Sequence, residues 1–300
     1  MTTTTQFTAK DVSELRARTG AGMMDCKKAL EETKGNLDLA VELLRKKGIA
    51  KAEKRVGRAA SEGQIVALTS PDGRHGVLVE VNSETDFVSR NPAFVQLSEN
   101  LAQQVMRDEA VNAVVHNAHE SPLLAQPWHA GGGATVNEVV KEASGRTGEN
   151  IVLRRFARFA TDGAVGSYVH HNGKFAALVE VGGANNDVAR QLARTIAEHV
   201  TAGVPSVPVA VSREHVPQEL VDKERRIFVD QAKASGKPDN IIEKMVTGRV
   251  DKYYKEVTLL EQPWIRDDSK TIRDLVKEAS KQAGAELSVR RFARFQMGEE

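Results

Sequence analysis

Arg154-Arg155-Phe156-Ala157-Arg158-Phe159 recurs without change as Arg290-Arg291-Phe292-Ala293-Arg294-Phe295, 136 residues later. The match extends outward from that hexapeptide. Leu123 to Phe159 aligns without a gap to Leu259 to Phe295, and 18 of the 37 positions are identical. Both stretches open Leu-Leu-x-Gln-Pro-Trp and pass through Val-Lys-Glu-Ala-Ser, at Val140 to Ser144 and at Val276 to Ser280. Self-similarity at so long a spacing marks a duplicated structural unit. It also supplies an internal control. What both copies keep is architecture, and what one copy alone carries is a candidate for function.

Upstream of each repeat lies a pair of β-rich runs. Gln64 to Thr69 and Val77 to Val81 are joined through Ser70-Pro71-Asp72-Gly73, which predicts a hairpin. Gly166 to His170 and Phe175 to Val181 repeat it, joined at Asn172-Gly173, a pair that favours a type I′ turn. Each hairpin leads into a helix, Pro92 to Met106 or Asn186 to Val200. A second helix in each copy is entered at Thr135 with Glu138, or at Thr271 with Asp274, the spacing of a capping box. Each copy then closes on its Arg-Arg-Phe strand. The expected fold class is α+β, with a duplicated core of two small units, each a three-stranded antiparallel sheet with helices on one face.

The copies differ in length. Val81 to Leu123 spans 42 positions and Val181 to Leu259 spans 78, so the second copy carries about 36 extra residues. Within them Leu220, Val221, Ile227, Phe228 and Ala232 line one helix, and Ile242, Met245, Val246, Val250 and Tyr253 line another. Ser235-Gly236-Lys237-Pro238 turns the chain between them. This predicts an antiparallel helical hairpin whose apolar stripe closes on itself or pairs with another subunit.

The N-terminal segment reads as three short helices. Thr8 with Asp11 caps the first, Gly20-Ala21-Gly22 breaks it, the second runs from Met23 to Lys34, and Asn36 opens a third that Gly48 ends. Forty residues make a marginal core, so a small module on a charged tether, Lys51 to Arg58, is expected. The resulting division is 1–57 for module and tether and 58–162 for the first core copy. The second copy takes 163–205 and 257–300, around an insertion at 206–256.

Bulk properties narrow the function classes. At 40% hydrophobic residues and a net charge of +1, the chain can bury a core and has no global attraction to nucleic acid or anionic membrane. The first sixty residues hold 13 Lys and Arg against 8 Asp and Glu, which reads as a solvated helix end and linker. The single cysteine, Cys26, excludes an intrachain disulfide and fits a reducing compartment. No apolar stretch approaches the ~18 residues of a membrane helix. Met1 to Phe7 lacks the apolar core of a signal peptide. A soluble, cytoplasmic protein is expected.

Catalytic templates fail. There is no phosphate-loop or nucleophile-elbow motif, and Gly131-Gly132-Gly133 does not follow a strand. Its counterpart, Asp267-Asp268-Ser269, shows that the fold does not need those glycines. With one cysteine and eight scattered histidines, no metal, cofactor or enzymatic activity is expected. Lys27 and Lys28 could lower the Cys26 thiol pKa; the competing reading is a small residue packed inside the module.

Two features rise above this background. Asn82 to Asn91 joins strand to helix in the first copy and carries Asp86 beside Phe87, where the second copy has only Gly182-Gly183-Ala184-Asn185. Either Phe87 folds back onto the core while Asp86 caps the helix, or the turn presents an acid and a ring to solvent. The other feature is Met23-Met24 at a helix start. Adjacent methionines cannot both face a small core, so one is an adaptable contact or is exposed without consequence.

At these two motifs the chain resembles a known family. Arg18-Thr19-Gly20-Ala21-Gly22-Met23-Met24-Asp25-Cys26-Lys27-Lys28-Ala29-Leu30 and Glu84-Thr85-Asp86-Phe87-Val88 are similar to the two signature segments of the bacterial elongation factor Ts family. The similarity covers essentially the whole chain, including Gly166-Ser167-Tyr168 and Glu243 to Arg249. It implies a guanine-nucleotide exchange factor for elongation factor Tu. The N-terminal module would be ubiquitin-associated-like and would dock on the GTPase domain through Met23, Met24 and Lys27. The Thr85, Asp86, Phe87 and Val88 loop would enter near the magnesium and phosphate site, with Phe87 as a wedge between two helices. His170 and Met245 would lie near the partner's third domain, and the helical hairpin forms a homodimer in some members. Many members continue into a further C-terminal helical module, where this sequence stops at Glu300. The runner-up is an RNA-associated protein using the basic tether and the Arg154-Arg155 and Arg290-Arg291 pairs, against which the neutral net charge counts.

Overall fold

A computed structural model describes residues 7–234 and 238–299. The fold is α+β. Three helices come first, α1 (Ala9–Thr19), α2 (Met23–Glu32) and α3 (Leu37–Glu53). There follow β1 (Glu62–Thr69), β2 (His75–Ser83), the single-turn α4 (Asp86–Ser89), α5 (Pro92–Arg107), the two-residue β3 (Val114–Val115), α6 (Val136–Thr147) and β4 (Val152–Ala160). Next are β5 (Ala164–Val169), β6 (Phe175–Gly182), α7 (Asp187–Ala202), α8 (Gln218–Lys233) and α9 (Asp239–Val257). The chain closes with β7 (Pro263–Trp264), β8 (Asp267–Thr271), α10 (Ile272–Ala283) and β9 (Ser288–Gln296).

All strand pairs are antiparallel. One sheet has the order β1-β2-β4-β3, the second β5-β6-β9, and β7 pairs with β8 alone. The register repeats between copies: Glu80 lies opposite Arg155 and Glu180 opposite Arg291, each followed by a register shift. The first sheet therefore has a fourth strand beyond the three expected, because β3 is too short to leave a periodic signal. The Asn172-Gly173 turn is not type I′, which needs positive φ at both central residues. Gly173 has φ 69, but the only non-glycine with positive φ among the described residues is Lys34. Instead Gly173 N donates to His170 O at 2.8 Å, as Gly73 N donates to Ser70 O at 2.9 Å, so the two hairpins turn alike.

Each sheet is covered on both faces. Val77, Val79, Val81 and Phe156 pack under α5 and α6, and Val179, Val181 and Val289 under α7 and α10. The opposite faces meet each other, with Ile65, Leu78 and Phe159 against Val165, Leu178 and Phe295. A strand buried on both faces reads as a continuous apolar run, which is what Val77 to Val81 shows apart from Glu80. A Cβ at Gly76 would collide with Val165 and Leu178, so a bare backbone is what lets the sheets approach there.

Glu80 and Glu180 explain the duplicated arginines. Arg155 Nε donates to Glu80 Oε2 at 2.7 Å, and its guanidinium lies 4.5 Å over the Phe295 ring. Arg291 Nε donates to Glu180 Oε2 at 2.6 Å and lies 4.1 Å over Phe159. Each copy's arginine thus neutralises the glutamate of its own sheet and covers the last phenylalanine of the other copy. Arg155 is engaged inside the body and Arg291, half-buried, is tied to Glu180, which counts against both in the RNA-binding reading.

The N-terminal module departs from expectation at Gly48. Its core of Val12, Leu15, Cys26, Ala29, Leu30 and Ala40 is buried, and burial pushes the Cys26 thiol pKa up, as suits a packed side chain. But α3 continues past Gly48 to Glu53, so part of the supposed tether is helix. The reason is a partner for that last turn. Gly48 faces Gly145 of α6, where an added Cβ would stand 2.7 Å from Gly48 O. Arg45 with Glu138 (3.3 Å) and Lys141 with Glu53 (3.0 Å) flank the crossing. Gly145→Val should push α3 off α6 at a cost of about 1–3 kcal/mol. Limited proteolysis should then cut faster between 54 and 61, with the module still helical.

In the inserted hairpin the apolar stripe closes on itself. Val221, Ala232, Ile242, Val246, Val250 and Val257 pack together with Ala210 and Val216, leaving Leu220, Ile227 and Ile241 exposed. The 235–237 part of its turn lies outside the described residues. At its base Gln262 Nε2 donates to Ser206 O at 2.9 Å and to Glu256 O at 2.5 Å. That fixes Gln262 Oε1 as the acceptor from His199 Nε2, 2.9 Å away. In the first copy Gln104 meets Gln126 in the same way, at 3.3 Å.

Burial lowers the His199 pKa, against a smaller opposing effect of the Gln262 hydrogen bond. Above about pH 6.5, the ordinary imidazole value, His199 is neutral folded or unfolded and its contribution is fully present. As pH falls below that value the unfolded chain takes the proton first, so stability declines through the window down to the lowered folded pKa. The urea midpoint should therefore fall between pH 7.5 and pH 5. His199→Gln, the residue type that Gln104 supplies in the first copy, should flatten part of that slope. His129, whose pKa burial also lowers, keeps its own share in both proteins.

Candidate functional site

The turn that only the first copy possesses stands out in three dimensions. After β2 the chain makes the single turn α4, with Thr85 in extended conformation (φ −128°, ψ 157°) at its N-cap position. Phe87 follows with 84% of its surface exposed, the most exposed large apolar side chain among the described residues. Its neighbour Val88 is half-buried and packs on the first core, so the turn is pinned on one side and open on the other. Asp86 carries an exposed ion pair with Arg90 at 2.9 Å, of a kind that adds little stability.

The backbone beneath the ring is tied down from several directions. Thr85 N donates to Glu149 Oε2 at 3.0 Å, and Thr85 Oγ1 donates to Glu149 Oε1 at 2.6 Å. Ser83 Oγ donates to Thr85 O at 2.9 Å, and Gln64 Nε2 to Ser89 O at 3.2 Å. Asn150 N donates to Glu84 Oε1 at 2.7 Å, while Asn150 Nδ2 donates to Arg58 O at 2.9 Å. Phe87 thus sits on a braced turn and is presented to solvent at a fixed place.

A groove of about 400 Å³ separates this turn from the second copy, lined by Gln64, Asp86 and Arg90 on one side and Asn172 and Lys174 on the other. The hairpin carrying His170 therefore borders the Asp86 turn. The His170 and His171 rings lie tilted at 44° with centroids 4.1 Å apart, and His170 Nδ1 is buried without a hydrogen-bond partner among the described residues. Met23, Met24 and Lys27 lie on the three-helix module. Both methionines are exposed where α2 begins, and Lys27 is 3.9 Å from Glu31. Met245 is half-buried on α9. Of the residues singled out in the sequence, the structure gathers Thr85 to Val88 with the turn after His170 and leaves the others on separate elements.

Among the described residues no three His, Cys, Asp or Glu side chains gather to hold a metal, and no helix is long and apolar enough to cross a membrane. The glycines at 131–133 all have positive φ and open surroundings, so they form a loop. The turn offers an exposed ring and a carboxylate on a hydrogen-bonded support.

Sequence comparison is consistent along the chain. The family profile described as Elongation factor TS matches residues 84–299. The chain belongs to the elongation factor Ts family. A protein of that name from Nostoc sp. is 45% identical over 302 residues, covering 98% of this chain and 93% of its own. Namesakes from Halothermothrix orenii (42% over 290 residues, 97% and 92% covered) and Prosthecochloris aestuarii (43% over 294 residues, 98% and 99% covered) are similar to the same extent. The profile begins at Glu84, the residue that opens the exposed turn, and these relatives' similarity extends over the three-helix module.

Proposed function

We propose that the chain is a guanine-nucleotide exchange factor for elongation factor Tu in translation elongation, acting without covalent chemistry. The observation that carries this is Phe87, a fully presented ring on a braced turn that one copy of a duplicated core has and the other lacks. In this reading Phe87 wedges between two helices of the GTPase, Asp86 perturbs the surroundings of its magnesium ion, and Thr85 and Val88 hold the turn. The three-helix module, read as ubiquitin-associated-like, docks through Met23, Met24 and Lys27. His170 and Met245 face the partner's third domain.

Linkage sets the terms of such a mechanism. A factor speeds nucleotide release by binding the nucleotide-free GTPase better than the loaded one, and nucleotide must weaken the factor by the same ratio. Magnesium is a large local charge bridging phosphate oxygens, so disturbing it removes an electrostatic anchor from the nucleotide. The test is release of labelled GDP from elongation factor Tu with and without this protein. Strong acceleration is expected, and none on the cognate GTPase would overturn the assignment.

A further inference from the structure

We infer that Glu149 is the positioning residue for the Thr85–Val88 turn, holding Phe87 in the geometry its partner meets. The inference rests on the exchange-factor reading for its functional consequence and on geometry alone for its structural one. Glu149 follows Gly148, which ends α6 in the left-handed conformation with φ 81. Its backbone is itself fixed: Ser144 Oγ donates to Glu149 O, and Glu149 N donates to Thr147 Oγ1 at 3.3 Å. Both oxygens of its carboxylate then accept from one residue, the N–H and the hydroxyl of Thr85. Such a two-point bond sets direction as well as distance, and an ionised acceptor makes it stronger than a neutral one. Because Thr85 is the N-cap residue of α4, the carboxylate that accepts from its N–H and hydroxyl also fixes where α4 begins.

The duplication supplies an independent argument. At the offset of 136, Glu149 corresponds to Ala285, a residue with no side-chain acceptor. The second copy needs none, because Gly183 brings its connector directly against the Glu286 backbone, where a Cβ could not fit. The acid therefore occurs only in the copy that carries the exposed turn. An architectural role in the core would call for it in both.

Bracing the turn in advance removes an ordering cost from the bound state. Loss of the brace should therefore slow the insertion step more than it weakens docking through the rest of the surface. Three variants test this: Glu149→Ala, Glu149→Gln and Glu149→Ala with Thr85→Ala. In Glu149→Ala, amide hydrogen exchange over 85–89 should quicken, and the maximal GDP-release rate at saturating factor should fall about tenfold. Half-saturation should move by no more than about twofold. Glu149→Gln keeps an acceptor for Thr85 N and a donor toward Thr85 Oγ1, and should restore much of both readouts, short of the wild type because the bond is no longer charge-assisted. The double variant should lose no more than Glu149→Ala alone, because the residues act as one unit. Unchanged amide exchange over 85–89 in Glu149→Ala would overturn the inference, as would a Glu149→Gln protein as impaired as the alanine variant. If the wild-type protein fails to accelerate GDP release at all, the exchange reading falls while the hydrogen-exchange result still decides the role of Glu149.

Discussion

Phe87→Ala is expected to reduce acceleration of GDP release from elongation factor Tu by about ten- to a hundredfold, because burying a phenylalanine side chain contributes ~1.5–3 kcal/mol. The range follows from converting that energy at about 1.4 kcal/mol per decade. The same substitution should leave folding untouched. Phe87 is 84% exposed, so its removal opens no cavity, and surface changes of this kind stay within about 0.5 kcal/mol. Superimposable thermal melts with a collapsed exchange rate would place the whole effect in the complex. The size of the loss is informative too. A single ring cannot supply more than about two decades, so a larger effect would mean that the turn as a whole has moved. Full activity in Phe87→Ala would remove the wedge and leave the family membership intact. Asp86→Ala forms the natural comparison, since it deletes a charge already shared with Arg90 and leaves the ring in place.

The sequence and the structure agree best where local rules act alone. Thr8, Thr135 and Thr271 each close a capping box with the acid three residues on, as their spacing predicts. Gly20 ends α1 in the left-handed conformation, where the Gly20-Ala21-Gly22 break was expected. Gly48 follows the opposite course. Nothing within reach in the sequence announces that α6 lies across it, and a glycine that would end a free helix becomes the point of closest approach between two. Asn172-Gly173 fails for a similar reason, since the pair fits two turn types and the flanking strands select the one the first copy also uses. The exposure of Phe87 was undecidable locally, because a loop phenylalanine tucks inward whenever an apolar neighbour is free. Here Val88 takes the inward place. Glu149 carried a faint signal: comparison of the copies sets it against Ala285, but its bond reaches across 64 residues to Thr85. The glutamates opposite the Arg-Arg-Phe strands were equally hidden, one polar residue in each of the apolar runs Val77 to Val81 and Phe175 to Val181.

Those glutamates carry the largest expected effect on stability. Glu80 is fully buried and Arg155 nearly so, and Arg155 Nη2 also donates to Gln296 O at 2.8 Å. Arg155→Met should destabilise the protein by about 3–5 kcal/mol, because it strands a buried carboxylate without its partner. The pair itself need not be stabilising, since the desolvation of two charges offsets most of their attraction. Glu80→Leu combined with Arg155→Met should therefore recover most of the loss, and urea midpoints of the two proteins measure the difference. The broken symmetry of the duplication sharpens the expectation. Glu180 has a second cation, Arg290 Nη1, 3.3 Å from its Oε1, and Asp162 shares that arginine. Arg291→Met consequently leaves Glu180 partly compensated and should cost less than Arg155→Met. Among the described residues no second arginine lies at such a distance from Glu80, whose other partners there are Asn82 Nδ2 and Gly298 N, both at 3.0 Å and both uncharged. Equal losses in the two single variants would mean that stacking over Phe295 and Phe159, common to both copies, governs the penalty instead of charge.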